Sequence, residues 1–288
     1  MPDSLVLIDK EQGWTSHDVV AKLRGILGTR KIGHAGTLDP MATGLLVLGV
    51  DAGTKLLQFI TGSPKQYLAT VRLGAATHTD DAEGHVVFEA PANLVTESQI
   101  DIEISRLLGT ITQVPSSVSA IKIDGKRAYD LVREGKDVEL KGREVEVKKF
   151  ERTSQLRVHG NYLDFDVLVD CSSGTYIRAL ARDIGTALGV GGHLTALRRT
   201  TIGNFDVKGA SLLSDGVDPI SLELAVKKLF PVIEISATQA QDLVYGKRLQ
   251  MVQTEVTAAL WQGKLLAVVE PIGNELRSVV VFPGAFSA

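Results

Sequence analysis

The stretch "RKIGHAGTLDPMATGLLVLGV", Arg30 to Val50, links a glycine-rich loop bearing His34 to an apolar run through one aspartate, Asp39, with Pro40 behind it. "GLLVLGV" is continuous, apolar and of strand length, which predicts a strand buried on both faces. Proline disfavours helical geometry for the residue before it, so Asp39 is held extended at a defined point of the connection. Gly33, Gly36 and Gly44 permit tight backbone paths and close approach of a large ligand. His34 adds a flat polar ring able to stack or hydrogen-bond beside a nucleobase. A purely structural Asp-Pro turn satisfies the same pattern.

Outward from this stretch, "SLVLID" reads as a short buried strand. In "TSHDVVAKLRGILG", Ser16 is placed to cap a helix with Val19, Val20, Leu23, Ile26 and Leu27 on one face, and Gly28 to end it. "AGTKLLQFIT" predicts a helix. "KQYLATVRLGA" alternates as a half-buried strand, and "HVVFEA" is expected to pair with it across the acidic loop "THTDDAEG". Residues 97–108 predict a helix, and "SAIKIDGKRAYDLVREG" a strand, turn and helix. "REVEVKKF" follows as a strand with Val145 and Val147 on one face. In "YLDFDVLVD", Leu163, Phe165, Val167 and Val169 alternate with more polar neighbours; a helix, "GTYIRALARDIGTALG", comes next. Strands arrive in pairs more often than in strict alternation with helices. The expected class is therefore α+β, a mostly antiparallel central sheet flanked by helices. The pattern changes near Pro231, giving an expected division into residues 1–230 and a small β-rich module, 231–288.

The 288 residues are 44% hydrophobic and 23% charged, the composition of an ordinary globular chain. No run approaches the roughly 18 apolar residues of a membrane span. The opening "MPDSLVLIDKEQGW" lacks a basic segment followed by an apolar one, so an unexported, cytoplasmic protein is expected. Cys171 is the single cysteine; at the end of an apolar strand it reads as a buried structural thiol. The net charge of -3 argues against a wholesale polyanion binder, yet charge is unevenly spread. Lys22, Arg24, Arg30 and Lys31 have no acidic neighbour between Val19 and Leu38, and Arg178, Arg182, Arg198 and Arg199 face only Asp183 between Tyr176 and Thr200. Such patches suit an anionic partner on one face, as they also suit solvated helix faces.

Other chemistries are poorly supported. His78, Asp80, Asp81 and His85 lack both the helical histidine pair and the cysteine partners of a zinc site, so a solvated acidic loop is expected and no metal. The glycines of "GTRKIGHAGT" are not followed by the GK[ST] ending of a P-loop, and no GxSxG elbow is present.

"GHAGTLDPMATGLLVLGVDAGTKL" resembles the catalytic motif of the bacterial tRNA pseudouridine-55 synthases, the TruB family. Supporting blocks stand in that family's order: "KEQGWTSHDVV", "KQYLATVRLGAATHTDDAEG", "VPSSVSAIKIDGKRAYDLVREG", "CSSGTYIRALARDIG" and "GGHLTALRRTTIGNF". Together they span about residues 8–205. The resemblance implies that Asp39 is the catalytic aspartate, that Tyr67 stacks on the target base and assists proton removal, and that Arg178 pairs with and orients Asp39. His34, Tyr176 and Leu197 match positions lining the substrate site, and Lys10, which matches a lysine near the start of the fold, is expected among the substrate-binding residues with them and Tyr67. The family often has Lys-Pro where this chain has Lys10 and Glu11, and an aromatic residue at Val118. The last module matches in position and size a small PUA-like RNA-binding domain.

The implied reaction cuts the bond from ribose C1' to uracil N1, turns the base, and rejoins it through C5. It needs no redox change and no cofactor. The carboxylate serves as a nucleophile toward C1' or C6, or as a base at the sugar; the residues are compatible with each. The implied partner is the T stem-loop of tRNA, its uridine flipped out of the stack, and a monomer is the default expectation. A tRNA-binding folding assistant without turnover, and a synthase with another RNA target, are the competing readings.

Overall fold

The computed structural model describes residues 3–116, 122–123, 126–127 and 141–286. The central feature is an 11-stranded sheet whose main path runs Pro219–Ser221, Ser4–Lys10, Thr43–Val50, Gly192–Ile202, Lys65–Leu73, Tyr162–Cys171, Arg143–Arg152, Gly109–Gln113. Neighbours along it are antiparallel except Thr43–Val50 and Gly192–Ile202, which meet in parallel at Thr43 and Gly44. The expected α+β class with a mostly antiparallel sheet therefore holds.

The run "TGLLVLGV" is buried from Gly44 to Val50 because both of its faces are covered. One face packs with Val6 and Ile8 against Val19, Val20 and Leu23 of the helix Ser16–Leu27. The other joins Leu5 and Leu7 to the helix Leu222–Leu229. In Lys65–Leu73 every second residue is buried, and Tyr67, Ala69 and Val71 share a core with Phe165, Val167 and the helix Ile177–Ala187. Burying Leu180 and Ile184 of that helix contributes roughly 2 kcal/mol each.

Two glycines bring the layers close enough to build a site. Gly44 has φ +98°, and a Cβ there would lie 2.2 Å from the Arg199 carbonyl oxygen, so only glycine lets these strands touch. Gly185 does the same for the helix Ile177–Ala187, where a Cβ would lie 2.1 Å from the Gly192 nitrogen. Gly44→Ala is expected to cost about 2–5 kcal/mol through backbone strain plus overpacking, read as a lowered urea midpoint. An unchanged midpoint would contradict this account of the contact.

Three local expectations change. The N-cap of the first helix is Thr15, not Ser16: Thr15 and Asp18 form a capping box, which leaves the Ser16 hydroxyl for another use. "AGTKLLQFIT" starts as a 3₁₀ helix, Asp51–Leu56, and becomes α-helical only at Leu57–Thr61. Val86–Glu89 does not pair with Lys65–Leu73, whose edges are taken by Tyr162–Cys171 and Gly192–Ile202. It pairs with Ala75–Thr77 beyond Gly74 as a separate ribbon. Gly28 ends the first helix as expected, with φ +65°, and Cys171 is buried, its thiol raised to about 11 by desolvation. Lys122–Ile123 pairs with Lys126–Arg127; the helix expected next and Val118 lie outside the described residues.

Beyond Pro231, Val232–Glu234, Thr257–Trp261, Lys264–Ile272 and Glu275–Val281 form a 4-stranded sheet. One of its faces, with Leu260, Val268 and Phe282, shares a core with Leu5, Leu45 and Val47 of the large sheet. The other has its own core around Leu243, Leu249 and Leu266. Among the described residues no helix is long and apolar enough to cross a membrane.

Candidate active site

Asp39 sits in the connection between the strands Ile32–His34 and Thr43–Val50. All five backbone carbonyls from Gly36 to Pro40 accept a hydrogen bond. Arg199 donates to Gly36 at 3.1 Å and to Thr37 at 3.4 Å. The Ser16 hydroxyl donates to Leu38 at 3.2 Å and accepts from the Leu38 amide at 2.8 Å. The Ala42 amide reaches Asp39, and the Gly13 amide and Lys10 ammonium both reach Pro40. The loop is thus fixed through its backbone, which leaves the Asp39 carboxyl group to its own partner.

That partner is Arg178. Its Nε lies 3.0 Å from Asp39 Oδ2, with the arginine side chain 4% exposed and the aspartate 37%. The Arg178 Nη1 donates to the Thr79 carbonyl at 2.6 Å and lies 3.4 Å from Asp81 Oδ2. A buried cation is thereby held between two carboxylates, one enclosed and one facing outward. Tyr67 and Leu197 lie on adjacent strands in one cluster with Met41 and with Leu38 and Ile177, which directly precede Asp39 and Arg178. Burial raises the Tyr67 phenol above its ordinary value, and Arg199 opposes the shift.

The remaining expected residues fall around this centre. His34 meets His17 edge-on at 5.6 Å, its Nδ1 is buried with no hydrogen-bond partner among the described residues, and burial lowers its pKa. Tyr176 precedes the helix bearing Arg178; Gln113 grips its backbone at both N–H and C=O, and the Arg143 guanidinium lies 5.7 Å from its ring centre. Lys10, expected against substrate, is instead 1% exposed, its ammonium bonded to the carbonyls of Glu11, Trp14 and Pro40. Burial lowers it to about 8, against the pull of Asp39. Glu11 is exposed and offers Lys10 only its carbonyl.

Two expectations are overturned. The loop "THTDDAEG" is not a solvated turn: Asp80 and Asp81 are buried, paired with Arg182 and Arg178, and burial raises the Asp80 carboxyl. Its charges answer the arginines of the neighbouring helix. The second basic cluster is likewise engaged within the fold, with Arg178 and Arg182 as described, the half-exposed Arg198 bonded to Asp9 and the buried Arg199 to backbone carbonyls. The first cluster differs: Lys22, Arg24, Arg30 and Lys31 are exposed and, among the described residues, without carboxylate partners. No group of metal-binding side chains forms among the described residues.

Ser16, Asp81, Gln113 and Arg199 support the site without having announced themselves. The available signal was parity: Arg199 has the same inward strand phase as Leu197. Lys65 is a fifth such group, its ammonium bonded to the Thr61 and Ser63 carbonyls and lowered to about 8 by burial. Below pH 8 this lysine is charged in both native and unfolded chains. Between about 8 and 10.5 the unfolded chain holds the proton that the native one has lost, so native stability rises with pH. Relative to Lys65→Met, the protein should gain up to about 3 kcal/mol across that window; parallel urea midpoints for the two would refute it.

Comparison with known proteins agrees with this architecture. Residues 24–177 match the family model described as TruB family pseudouridylate synthase (N terminal domain). Residues 178–217 match tRNA pseudouridylate synthase B C-terminal domain, and 230–283 match tRNA Pseudouridine synthase II, C terminal. The tRNA pseudouridine synthase B of Leifsonia xyli subsp. xyli is 51% identical over 291 residues, 97% of this chain and 96% of that protein. That of Corynebacterium aurimucosum is 51% identical over 283 residues, 96% and 95% of the two chains. Among solved structures, a Cbf5-Nop10-Gar1 complex aligns with TM-score 0.69 at 25% identity, over 98% of this chain and 86% of that one. An H/ACA RNP bound to a substrate RNA containing 2'-deoxyuridine aligns with TM-score 0.70 at 24% identity, over 97% and 84%. The fold is that of the pseudouridine synthases. Within that class the chain belongs to the TruB family.

Proposed function

We propose that this protein isomerises the T-loop uridine of tRNA, position 55, to pseudouridine, with Asp39 as the essential carboxylate. The observation that carries the reading is the Asp39–Arg178 ion pair, held in a loop whose carbonyls are all bonded and set beside the buried Tyr67. In the reaction the C1'–N1 bond breaks, the uracil turns, and a C1'–C5 bond forms. The C5 proton leaves and N1 gains one, so atoms and electrons balance without cofactor or metal. Asp39 acts on C1', on C6, or as a base at the sugar; Arg178 orients it along each route. Tyr67 and Leu197 enclose the loosened base and exclude water, and the phenol assists removal of the C5 proton in this proposal. His34 and Tyr176 line the entrance, while Lys10 acts through Pro40.

The direct test is tritium release from unmodified tRNA labelled at uracil C5, with the modified position mapped afterwards. Release mapping to the T loop supports the assignment; release from other RNA alone would assign another substrate, and none at all with tight tRNA binding would favour a folding assistant.

Residues 1–230 form the catalytic unit and 231–288 an RNA-binding module in this proposal. The exposed Lys22, Arg24, Arg30 and Lys31 contact phosphates. Because the module shares a core with the large sheet, charge substitution tests it better than deletion. Arg30→Ala with Lys31→Ala is expected to reduce the salt slope of tRNA binding by about 2. Lys247→Glu with Arg248→Glu should weaken binding as well. Affinity and slope unchanged in the second variant would leave the module a structural role only.

A further inference from the structure

The Arg199 side chain is 1% exposed, as deeply buried as Lys10, and it carries no part of the mechanism above. Its backbone lies on Gly192–Ile202 directly opposite Tyr67 on Lys65–Leu73, so the two side chains share a sheet face. Its Nε donates to the Leu45 carbonyl at 2.8 Å, its Nη2 to Gly36 and its Nη1 to Thr37. The cross-strand pairing places the Arg199 charge beside the Tyr67 phenol, whose pKa it lowers against the effect of burial. A guanidinium has five N–H donors in a rigid fork, enough to fix three carbonyls at set relative positions while its plane stays beside the tyrosine. Among the described residues, no other side chain both bonds to the carbonyls ahead of Asp39 and stands opposite Tyr67 in the strand pairing: Ser16 and Lys10 bond to the loop from outside that strand pair, and the Lys65 ammonium bonds to Thr61 and Ser63 instead.

We propose that Arg199 is a positioning residue that ties Tyr67 to the backbone of the Asp39 loop, so that the attacking carboxylate and the aromatic platform are set against each other by one buried side chain. This rests on the functional reading above. Both groups act on the same uracil, the carboxylate during bond breaking and the ring while the base turns. A loop held by Ser16 and Lys10 alone would keep Asp39 near its place but let its distance to the ring vary. An ångström of such freedom is costly in rate and nearly silent in binding.

The structure also supplies a control. Ser16→Ala loosens the same loop through Leu38 without touching Tyr67. Two double-mutant cycles, Arg199→Met with Tyr67→Phe and Ser16→Ala with Tyr67→Phe, are read in the single-turnover rate on tRNA and in tRNA affinity. The expected result is a rate loss of about a hundredfold for Arg199→Met, with affinity within about twofold. The double variant with Tyr67→Phe should be less impaired than the product of the single losses by at least about fivefold, while the Ser16 cycle is multiplicative. Multiplicative losses in both cycles would make Arg199 one loop support among several and overturn the proposal. Should Arg199→Met fail to fold, Arg199→Lys decides: it keeps the charge but not the fork, and a rate equal to that of the unaltered protein would overturn the proposal. Fluorine NMR on fluorotyrosine-labelled protein is independent of turnover. The Tyr67 resonance, assigned by its loss in Tyr67→Phe, should move in Arg199→Lys and stay fixed in Ser16→Ala. If the unaltered protein releases no tritium from tRNA, the functional reading falls, while this spectral test of the tie still stands.

Discussion

Asparagine in place of Asp39 should slow isomerisation by about 10⁴-fold or more while leaving tRNA affinity within about threefold. The separation follows from how the loop is built. Its five carbonyls are bonded to Arg199, Ser16, Ala42, Gly13 and Lys10, and none of those bonds uses the Asp39 carboxyl group. The amide oxygen of asparagine can still accept from Arg178, so the loop and the surface presented to RNA persist while the nucleophile or base is gone. Its half-exposed side chain keeps the stability change small, about 1 kcal/mol. Single-turnover tritium release and a binding titration on the same preparation separate the two effects. Substantial turnover by Asp39→Asn would remove the carboxylate from the mechanism; a parallel collapse of binding would mean that the side chain, not the backbone network, holds the loop.

Replacing Arg178 with methionine should damage folding as well as rate. Arg178 joins Asp39, Asp81 and the Thr79 carbonyl, and the Asp81 side chain is 5% exposed. Removing one member of a buried pair leaves an uncompensated charge, at a cost of about 3–5 kcal/mol. Arg178→Met is therefore expected to lower the urea midpoint strongly and to slow the folded fraction by about 10³-fold, since Asp39 loses its orienting partner. Arg178→Lys should recover part of the stability and little of the rate, because an ammonium cannot span both carboxylates as the fork does. Adding Asp81→Asn to Arg178→Met should return stability, as it removes the stranded charge. Failure of that rescue would contradict the assignment of the cost to Asp81.

Much of this was legible in the residue pattern. Period-two alternation placed Lys65–Leu73 and Tyr162–Cys171 with their buried faces correct, and the apolar run after Asp39 marked a doubly covered strand. Pattern failed where a charge was answered from far along the chain. Asp80 and Asp81 look solvated until the helix carrying Arg178 and Arg182 is laid beside them. Arg198 and Arg199 look like phosphate contacts until the strand pairing turns one onto Asp9 and the other inward. The partner of Val86–Glu89 depended on strand edges occupied by chain segments about a hundred residues downstream. Asp39 was visible through its neighbours in sequence, whereas its supports come from Ser16 and Arg199, on opposite sides of it in the chain.

Cys171 lies within this same framework, paired in register with Lys65 at one end of the strand Lys65–Leu73 and with Val147 on the other side. Desolvation raises the thiol to about 11 and the side chain is 1% exposed, so slow alkylation of the folded protein at neutral pH is the expected result. Alkylation then requires the central strands to part, and its rate becomes a clock for rare openings of the sheet that carries Tyr67. As Cys171 is the single cysteine, a thiol placed on an exposed surface would take a probe alone. One molecule could thus report RNA arrival at its surface and breathing of its centre, on two separate timescales.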